Sequence, residues 1–213
     1  MSSKKNKTYQ SLRYRIITHD LKPMQTLNEK DLMNHYNIGR TPLREVLIQL
    51  QRDGLIQRFA RSATVVAPVD IHLYQEIIEI RIQLEKLAGR LASQRITAEQ
   101  LEELRQVLSR VEDIERNDPD NLKAIMQCEL DFHENVYNAT HNRKLREFLL
   151  ELHGISARVW HYQVFSQQEL LDQFVDHRET LSALEKRDEK LASASMEKHI
   201  QNVINKIRAK VLK

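Results

Sequence analysis

The sequence has few residues that interrupt helices, with only four glycines and four prolines among 213 residues. Leucine, glutamate, glutamine, lysine and arginine, which favour helices, are common instead. No internal repeat and no low-complexity segment is visible, which excludes repeat arrays and proline-rich or glycine-rich linkers. We therefore expect a mainly helical chain, long enough for one large or two small domains.

Cysteine is also scarce, and long apolar runs are missing. The single cysteine, Cys128, excludes an internal disulfide. No apolar run approaches the length of a signal-peptide core or of a membrane span. We expect a cytoplasmic protein with no membrane partner.

The charge is distributed unevenly along the chain. Residues 1–70 contain twelve lysines or arginines and six acidic residues, a net charge of +6, whereas the whole chain carries +3. The remainder is therefore at −3. A basic N-terminal third on a mildly acidic body is typical of a protein in which one domain contacts the phosphates of nucleic acid and the other does not.

The segment NIGRTPLREVL at residues 37–47 predicts a turn followed by a helix whose first turn carries arginines. Gly39 is expected to turn the chain, Thr41 to cap the helix and Pro42 to occupy its first position. Residues 27–36 predict a short preceding helix. Together they predict a helix-turn-helix whose second helix reads DNA.

The flanking residues extend this unit. Residues 9–19 predict an earlier helix, and residues 56–59 and 64–66 predict the two strands of a small hairpin. Three helices and a hairpin make a winged helix-turn-helix, which we assign to residues 1–68. The run R-T-P-L-R-E-V-L followed by D-G-L-I resembles the GntR family of bacterial transcription regulators, and the resemblance covers about residues 8–68.

Arg40 and Arg44 are the candidates for base contacts, because a guanidinium can donate to both O6 and N7 of guanine. Thr41 and Lys30 are candidates for phosphate contacts. The resemblance implies that these four positions touch DNA in the FadR branch of the family, where the wing tip also enters the minor groove. Arg61 stands at the wing tip here, where the family often has glycine. A homodimer on a double-stranded, pseudo-palindromic operator is the implied assembly.

From residue 69 to 213 the pattern predicts an all-α bundle of about six amphipathic helices. Thr97 with Gln100 forms a capping-box pattern at the start of the second. The predicted helices span residues 73–95, 98–117, 121–139, 143–164, 168–186 and 189–211.

Four side chains in this bundle are candidate metal ligands. Glu129 and His133 are four residues apart and so share one helix face, while His177 and His199 lie in the fifth and sixth helices. If these helices face one another, three imidazoles and one carboxylate would suit Zn, Ni, Mn or Fe with one or two coordination positions open. Spacing alone leaves open that the histidines are surface or core residues.

Residues 129–133, 176–184 and 196–200 resemble the FCD domain, the ligand-binding domain of the FadR branch. The resemblance implies a divalent metal held by an acidic residue and three histidines, with Glu129 in place of the usual aspartate. It also implies a small carboxylate effector, an organic or sugar acid that ligates the metal and pairs with arginines. Arg81 and Arg158 are the candidates for that pairing.

Two alternatives accompany this interpretation. One is a metal-dependent enzyme that uses the same His₃-carboxylate site, and the other is a regulator that answers a metal-independent ligand such as an acyl-CoA. The arginine-bearing helix-turn-helix favours a regulator over an enzyme. No candidate base or nucleophile accompanies the ligands, so we predict no catalytic residues.

Overall fold

The computed structural model describes residues 3–59, 63–118, 121–161 and 165–211. Over these residues the chain is mainly helical, as predicted, with three short strands near the N-terminus. The elements are α1 (Ser3–Ile17), β1 (Thr26–Leu27), α2 (Glu29–Tyr36), α3 (Arg40–Arg52), β2 (Ile56–Arg58), β3 (Thr64–Val66), α4 (Ile71–Arg95), α5 (Ala98–Asn117), α6 (Leu122–Ala139), α7 (Arg143–His161), α8 (Gln167–Leu171), α9 (Phe174–Glu185) and α10 (Glu189–Val211).

The chain divides into two compact units. The N-terminal unit comprises Met1–Tyr74 and Glu151–Tyr162, and the C-terminal unit comprises Gln75–Leu150 and Gln163–Lys213. The last part of α7 therefore belongs with the N-terminal unit, although it is far from it in sequence.

In the N-terminal unit, α1 packs against α3 through buried leucines and isoleucines, which include Leu12, Ile16 and Leu43. The sheet is antiparallel, with the strand order β1-β3-β2. Strand β1, which the sequence did not predict, adds a third strand through the pairing of Thr26 with Val65. The winged helix-turn-helix predicted for this region is confirmed.

The turn between α2 and α3 differs in detail from the prediction. Asn37, with φ of 45°, takes the left-handed conformation that ends α2, whereas Gly39 has an ordinary φ of −73° and is the N-cap of α3. The prediction that Thr41 caps this helix is therefore wrong, because the helix already begins at Arg40. Pro42 still falls in the first turn, where a missing N–H costs nothing.

In the C-terminal unit, the helix predicted over residues 168–186 is two helices, α8 and α9. Between them, the backbone N–H groups of Gln173, Val175 and Asp176 bond the carbonyl three residues back instead of four, which breaks the α-helical ladder. The capping box of Thr97 and Gln100 is present as predicted. Asn121 caps α6 by accepting a hydrogen bond from the N–H of Ala124.

The helices that matter for the site meet in the interior of this unit. Helix α10 packs against α9, and α5 packs against both α6 and α9. Helix α4 approaches α10 at Gly89, where a Cβ atom would lie only 2.4 Å from the carbonyl oxygen of Ala192. Within the described part of the chain, no helix combines the length and the hydropathy needed to cross a membrane.

Candidate metal centre and DNA-binding surface

The four predicted metal ligands lie together in the interior of the C-terminal unit. Helix α6 carries Glu129 and His133, α9 carries His177, and α10 carries His199. One ligand atom from each lies within 4.8 Å of the others, and all four residues are at least 98% buried. The Nε2 atom of His133 is 3.1 Å from Oε1 of Glu129 and 3.2 Å from Nε2 of His199.

These separations suit one small cation. Protein nitrogen and oxygen ligands lie roughly 2.0–2.2 Å from metals such as zinc, so two ligands of one ion are about 3–4 Å apart. The shortest distances in the cluster fall in this range, and the largest exceeds it by less than 1 Å. Small side-chain rotations would therefore bring the four donors onto one ion.

The proton of His133 is placed by a hydrogen-bonded chain. The hydroxyl of Tyr137 donates its only proton to Oε1 of Glu85, at 2.6 Å. Its oxygen can then only accept from Nδ1 of His133, which is 3.2 Å away. This arrangement favours a proton on Nδ1 of His133 and leaves Nε2, which faces the other candidate ligands, available to a metal.

His199 is prepared in a similar way. Its Nδ1 atom is 3.6 Å from Oδ2 of Asp176, which favours a proton on Nδ1 and a lone pair on Nε2. Burial lowers the pKa of His199, although Asp176 acts in the opposite direction, so the ring is neutral at neutral pH. The ring of His177 is held by stacking on Phe132, at a centroid distance of 4.2 Å, and by edge contact with Phe174.

Arg81, predicted to bind an effector, belongs to the same buried network. Its Nε atom donates to Oε1 of Glu85 at 2.9 Å, and Glu85 accepts from Tyr137, which contacts the ligand His133. Burial opposes the charge of Arg81, but Tyr137, Glu85 and Glu129 outweigh it and raise its pKa. The guanidinium is therefore fully buried and charged.

Arg158, the second predicted effector ligand, is not brought together with these residues. It belongs to the N-terminal unit, where its Nη2 atom donates to the carbonyl oxygen of Ala67. The cluster and Arg81 all belong to the C-terminal unit. Arg158 and Arg81 therefore belong to different units.

The predicted DNA-contacting residues lie on the exposed face of the helix-turn-helix. Lys30 is in the first turn of α2, and Arg40, Thr41 and Arg44 are in the first turn and a half of α3; all four are exposed. The side chain of Arg44 is 54% exposed and lies 3.6 Å from Glu29, a loose ion pair. Arg61, the predicted wing-tip residue, lies outside the described residues.

Sequence reasoning missed the residues that orient the ligands. Glu85, Tyr137 and Asp176 are polar, buried and adjacent to the cluster, but none was singled out. A signal existed for two of them: Glu85 follows Arg81 by four residues, and Tyr137 follows His133 by four, so each shares a helix face with its partner.

The sequence patterns of known families match both the N-terminal and the C-terminal part of the chain. The pattern of the FCD domain matches residues 76–202, and that of the bacterial regulatory proteins of the gntR family matches residues 4–66. The chain belongs to the GntR family. It is a GntR regulator of the kind that carries an FCD domain, as the resemblance implied.

Relatives of this GntR regulator span nearly its whole length. The Nta operon transcriptional regulator of Aminobacter aminovorans is 27% identical over 206 residues, covering 92% of each chain. The repressor RspR of Escherichia coli is 28% identical, covering 92% of this chain and 87% of its own. The structure of E. coli McbR/YncC has the same fold, with a TM-score of 0.82 at 23% identity over 96% of this chain and 97% of its own.

As a member of the GntR family, this protein is a DNA-binding transcription regulator and not an enzyme. The alternative of a metal-dependent enzyme, which the histidine cluster alone left open, is set aside on that ground.

Proposed function

We propose that this regulator binds its operator as a homodimer and responds to a small carboxylate effector held at a metal ion in the C-terminal unit. The observation that carries the proposal is the cluster of Glu129, His133, His177 and His199, in which Nδ1 of His133 faces Tyr137 and Nδ1 of His199 faces Asp176. Three nitrogen donors and one oxygen donor suit Zn, Ni, Mn or Fe.

The buried charges favour an anionic effector. By formal charge, the fully buried Arg81 contributes +1 and Glu85 and Glu129 together contribute −2, which leaves one net negative charge among these three side chains. A divalent cation would reverse this to one net positive charge. A carboxylate that binds the metal would neutralise it, and Arg81, which belongs to the same buried network, would pair with the ligand.

The DNA-binding unit supplies the second half of the proposal. Arg40 and Arg44 would reach base edges, and Lys30 and Thr41 would contact phosphates, because all four are exposed near the N-terminal ends of α2 and α3. Two such units in a homodimer would read two half-sites of one operator. Light scattering on the purified protein tests the dimer. Since DNA is the partner, we expect the protein to act in the cytoplasm.

Effector binding would change operator affinity through helix α4. This helix contributes to both units, since Ile71–Arg95 begins in the N-terminal unit and carries Arg81 into the C-terminal unit. Coupling between two sites of one protein is typically about 1–3 kcal/mol, or roughly 5- to 150-fold in affinity. We expect a change of this size in operator affinity when the effector binds.

The first experiment is a thermal-melt screen of the full chain against small organic and sugar acids, with and without prior chelation. We expect one acid to raise the melting temperature, chelation to abolish the increase and a divalent ion to restore it. The matched control is Glu134→Gln, on the same helix as Glu129 but paired with Arg146, which should leave the response intact.

The same screen tests the alternative effector class. An increase that survives chelation would remove the metal from effector binding. An increase produced by an acyl-CoA and by none of the small acids would replace the proposed effector with a larger, metal-independent ligand.

A further inference from the structure

The N-terminal unit contains a cavity of about 600 Å³ that the proposed function does not use. Its walls come from β2, from the residues that follow β3, and from the last turns of α7. This volume is in the range of small-molecule sites in proteins. All of its lining residues belong to the N-terminal unit, and none belongs to the metal cluster.

One wall of the cavity holds a buried arginine that has no acidic partner within the part of the chain that the structure describes. Arg158 is 98% buried and lines the cavity. Its Nη2 atom donates to the carbonyl oxygen of Ala67, but its Nε atom has no hydrogen-bond partner among the described residues. A guanidinium has five N–H donors, and the one on Nε of Arg158 is unused.

The side chain is nevertheless charged. Burial lowers the pKa of Arg158 to about 10, which still leaves it protonated at neutral pH. A buried charge without a counter-ion is unfavourable, because desolvation is not repaid by a partner. An anion in the cavity would supply that partner.

The other charged residues of the cavity do not fill this role. Asp70 lines it, but its Oδ1 atom accepts the backbone N–H groups of His72 and Leu73 at the start of α4. Arg58 also lines the cavity and adds a second positive charge. Its Nη2 atom forms an ion pair with Oε1 of Glu29, at a distance of 3.6 Å. Two arginines and one aspartate leave the wall with one net positive charge.

The remaining walls are largely apolar. Ile56 and Val159 are buried, and Phe59, although 53% exposed, lines the same cavity. Largely apolar walls with a few charged groups are typical of sites that hold the body of a ligand by burial and fix its orientation by an ion pair.

We propose that this cavity binds a small organic carboxylate with an apolar body, whose carboxylate pairs with Arg158. The site is distinct from the proposed metal-dependent effector site and does not depend on it. Because β2 and the chain after β3 form its walls, a bound ligand packs directly against the hairpin of the DNA-binding unit.

The test is isothermal titration of the full chain with benzoate, 4-phenylbutanoate and octanoate, each compared with its neutral amide. We expect at least one carboxylate to bind at least tenfold more tightly than its amide. Arg158→Gln should weaken that binding at least tenfold. Arg44→Ala, which removes an exposed arginine of the same unit, should leave it unchanged.

A second variant covers the case in which Arg158→Gln fails to fold. Val69→Phe fills the cavity from its half-buried wall while retaining Arg158 and its bond to Ala67, and it should also abolish binding. The wild-type protein treated with a chelator should bind the carboxylate as the untreated protein does, which separates this site from the metal cluster.

Three outcomes would overturn the proposal. They are the absence of binding by all three carboxylates, binding that survives both Arg158→Gln and Val69→Phe, and binding that is lost on chelation. Inorganic phosphate is the further probe: if it binds as tightly as the best carboxylate, an apolar body is not recognised and the assigned ligand class is wrong.

Discussion

Helices α3 and α6 each carry two functional side chains four residues apart, and the two pairs have opposite environments. Arg40 and Arg44 on α3 are exposed, whereas Glu129 and His133 on α6 are at least 98% buried. The spacing places both pairs on one helix face for the same geometric reason. Burial then decides the chemistry: the exposed pair is available to a large polyanion, and the buried pair can bind only what fits inside.

The difference has an energetic consequence. An exposed charge is solvated without its ligand, so its removal changes binding and leaves stability nearly unchanged. Buried polar groups depend on one another for solvation, so the removal of one changes both stability and ligand binding. The predictions below test this contrast, beginning with the largest effect.

Removal of two ligands should eliminate metal binding. His177→Ala with His199→Ala leaves one imidazole and one carboxylate, so we expect no stoichiometric metal by elemental analysis. If the free metal concentration is about 100 times the dissociation constant, removal of the metal by a chelator should lower the melting temperature of the wild type by roughly 5–10 °C. Chelation should have no effect on the variant. An identical decrease in both proteins would show that the cluster is not the metal site.

On the exposed side, Arg44→Ala should weaken specific operator binding by about 1–3 kcal/mol, or roughly 5- to 150-fold. The free energy of unfolding should change by no more than about 0.5 kcal/mol. Fluorescence anisotropy with operator DNA measures the first, and urea denaturation the second. Arg116→Ala, which removes a 69% exposed arginine of α5, is the control for charge alone. Equal losses from both variants would contradict a specific role for Arg44.

Asp176→Asn tests the carboxylate that faces Nδ1 of the candidate ligand His199. Burial raises the pKa of Asp176, but His199, Asn202 and Lys198 outweigh it, so the carboxylate is ionised. An amide orients His199 less well, and we expect metal affinity to fall roughly 10- to 100-fold. Competition with a chromophoric chelator measures it. Asp131→Asn is the control, because Asp131 lies on the ligand helix α6 but pairs with Arg110 at the surface. If the two variants lose the same affinity, the effect is one of overall charge.

Both pairs of side chains could be predicted from the sequence, since helical spacing fixes which side chains share a face. That reasoning gave the Arg40 and Arg44 pair, the Glu129 and His133 pair, and the capping box at Thr97. It failed where a local choice was nearly balanced: Asn37 and Gly39 can both adopt the left-handed conformation, and the chain uses Asn37.

Arg158 shows a second limit. Helical periodicity indicates which face of α7 is apolar, but not which part of the molecule each half of the helix contacts. The residues from Glu151 onward pack with the N-terminal unit, so Arg158 lies against Ala67. Such long-range packing is a property of the whole fold and leaves no local signal. The packing of α6, α9 and α10 around the cluster is likewise a long-range property of the whole fold. It was expected only because of the family resemblance.

The smallest expected effect on metal binding comes from a comparison of two tyrosines. Each donates a hydrogen bond to a carboxylate, one in each unit. Tyr137 donates to Glu85 and Tyr9 donates to Asp53, each at 2.6 Å. Tyr137→Phe and Tyr9→Phe should each cost about 1–3 kcal/mol of unfolding free energy, because each leaves a carboxylate without one donor. Only Tyr137→Phe also removes the acceptor for Nδ1 of His133, so it alone should weaken metal binding, by less than Asp176→Asn does.

Urea denaturation of the chelated proteins measures the loss of stability, and metal competition measures the loss of metal affinity. A loss of metal affinity in Tyr9→Phe as well would mean that stability, and not the position of the His133 proton, controls the site.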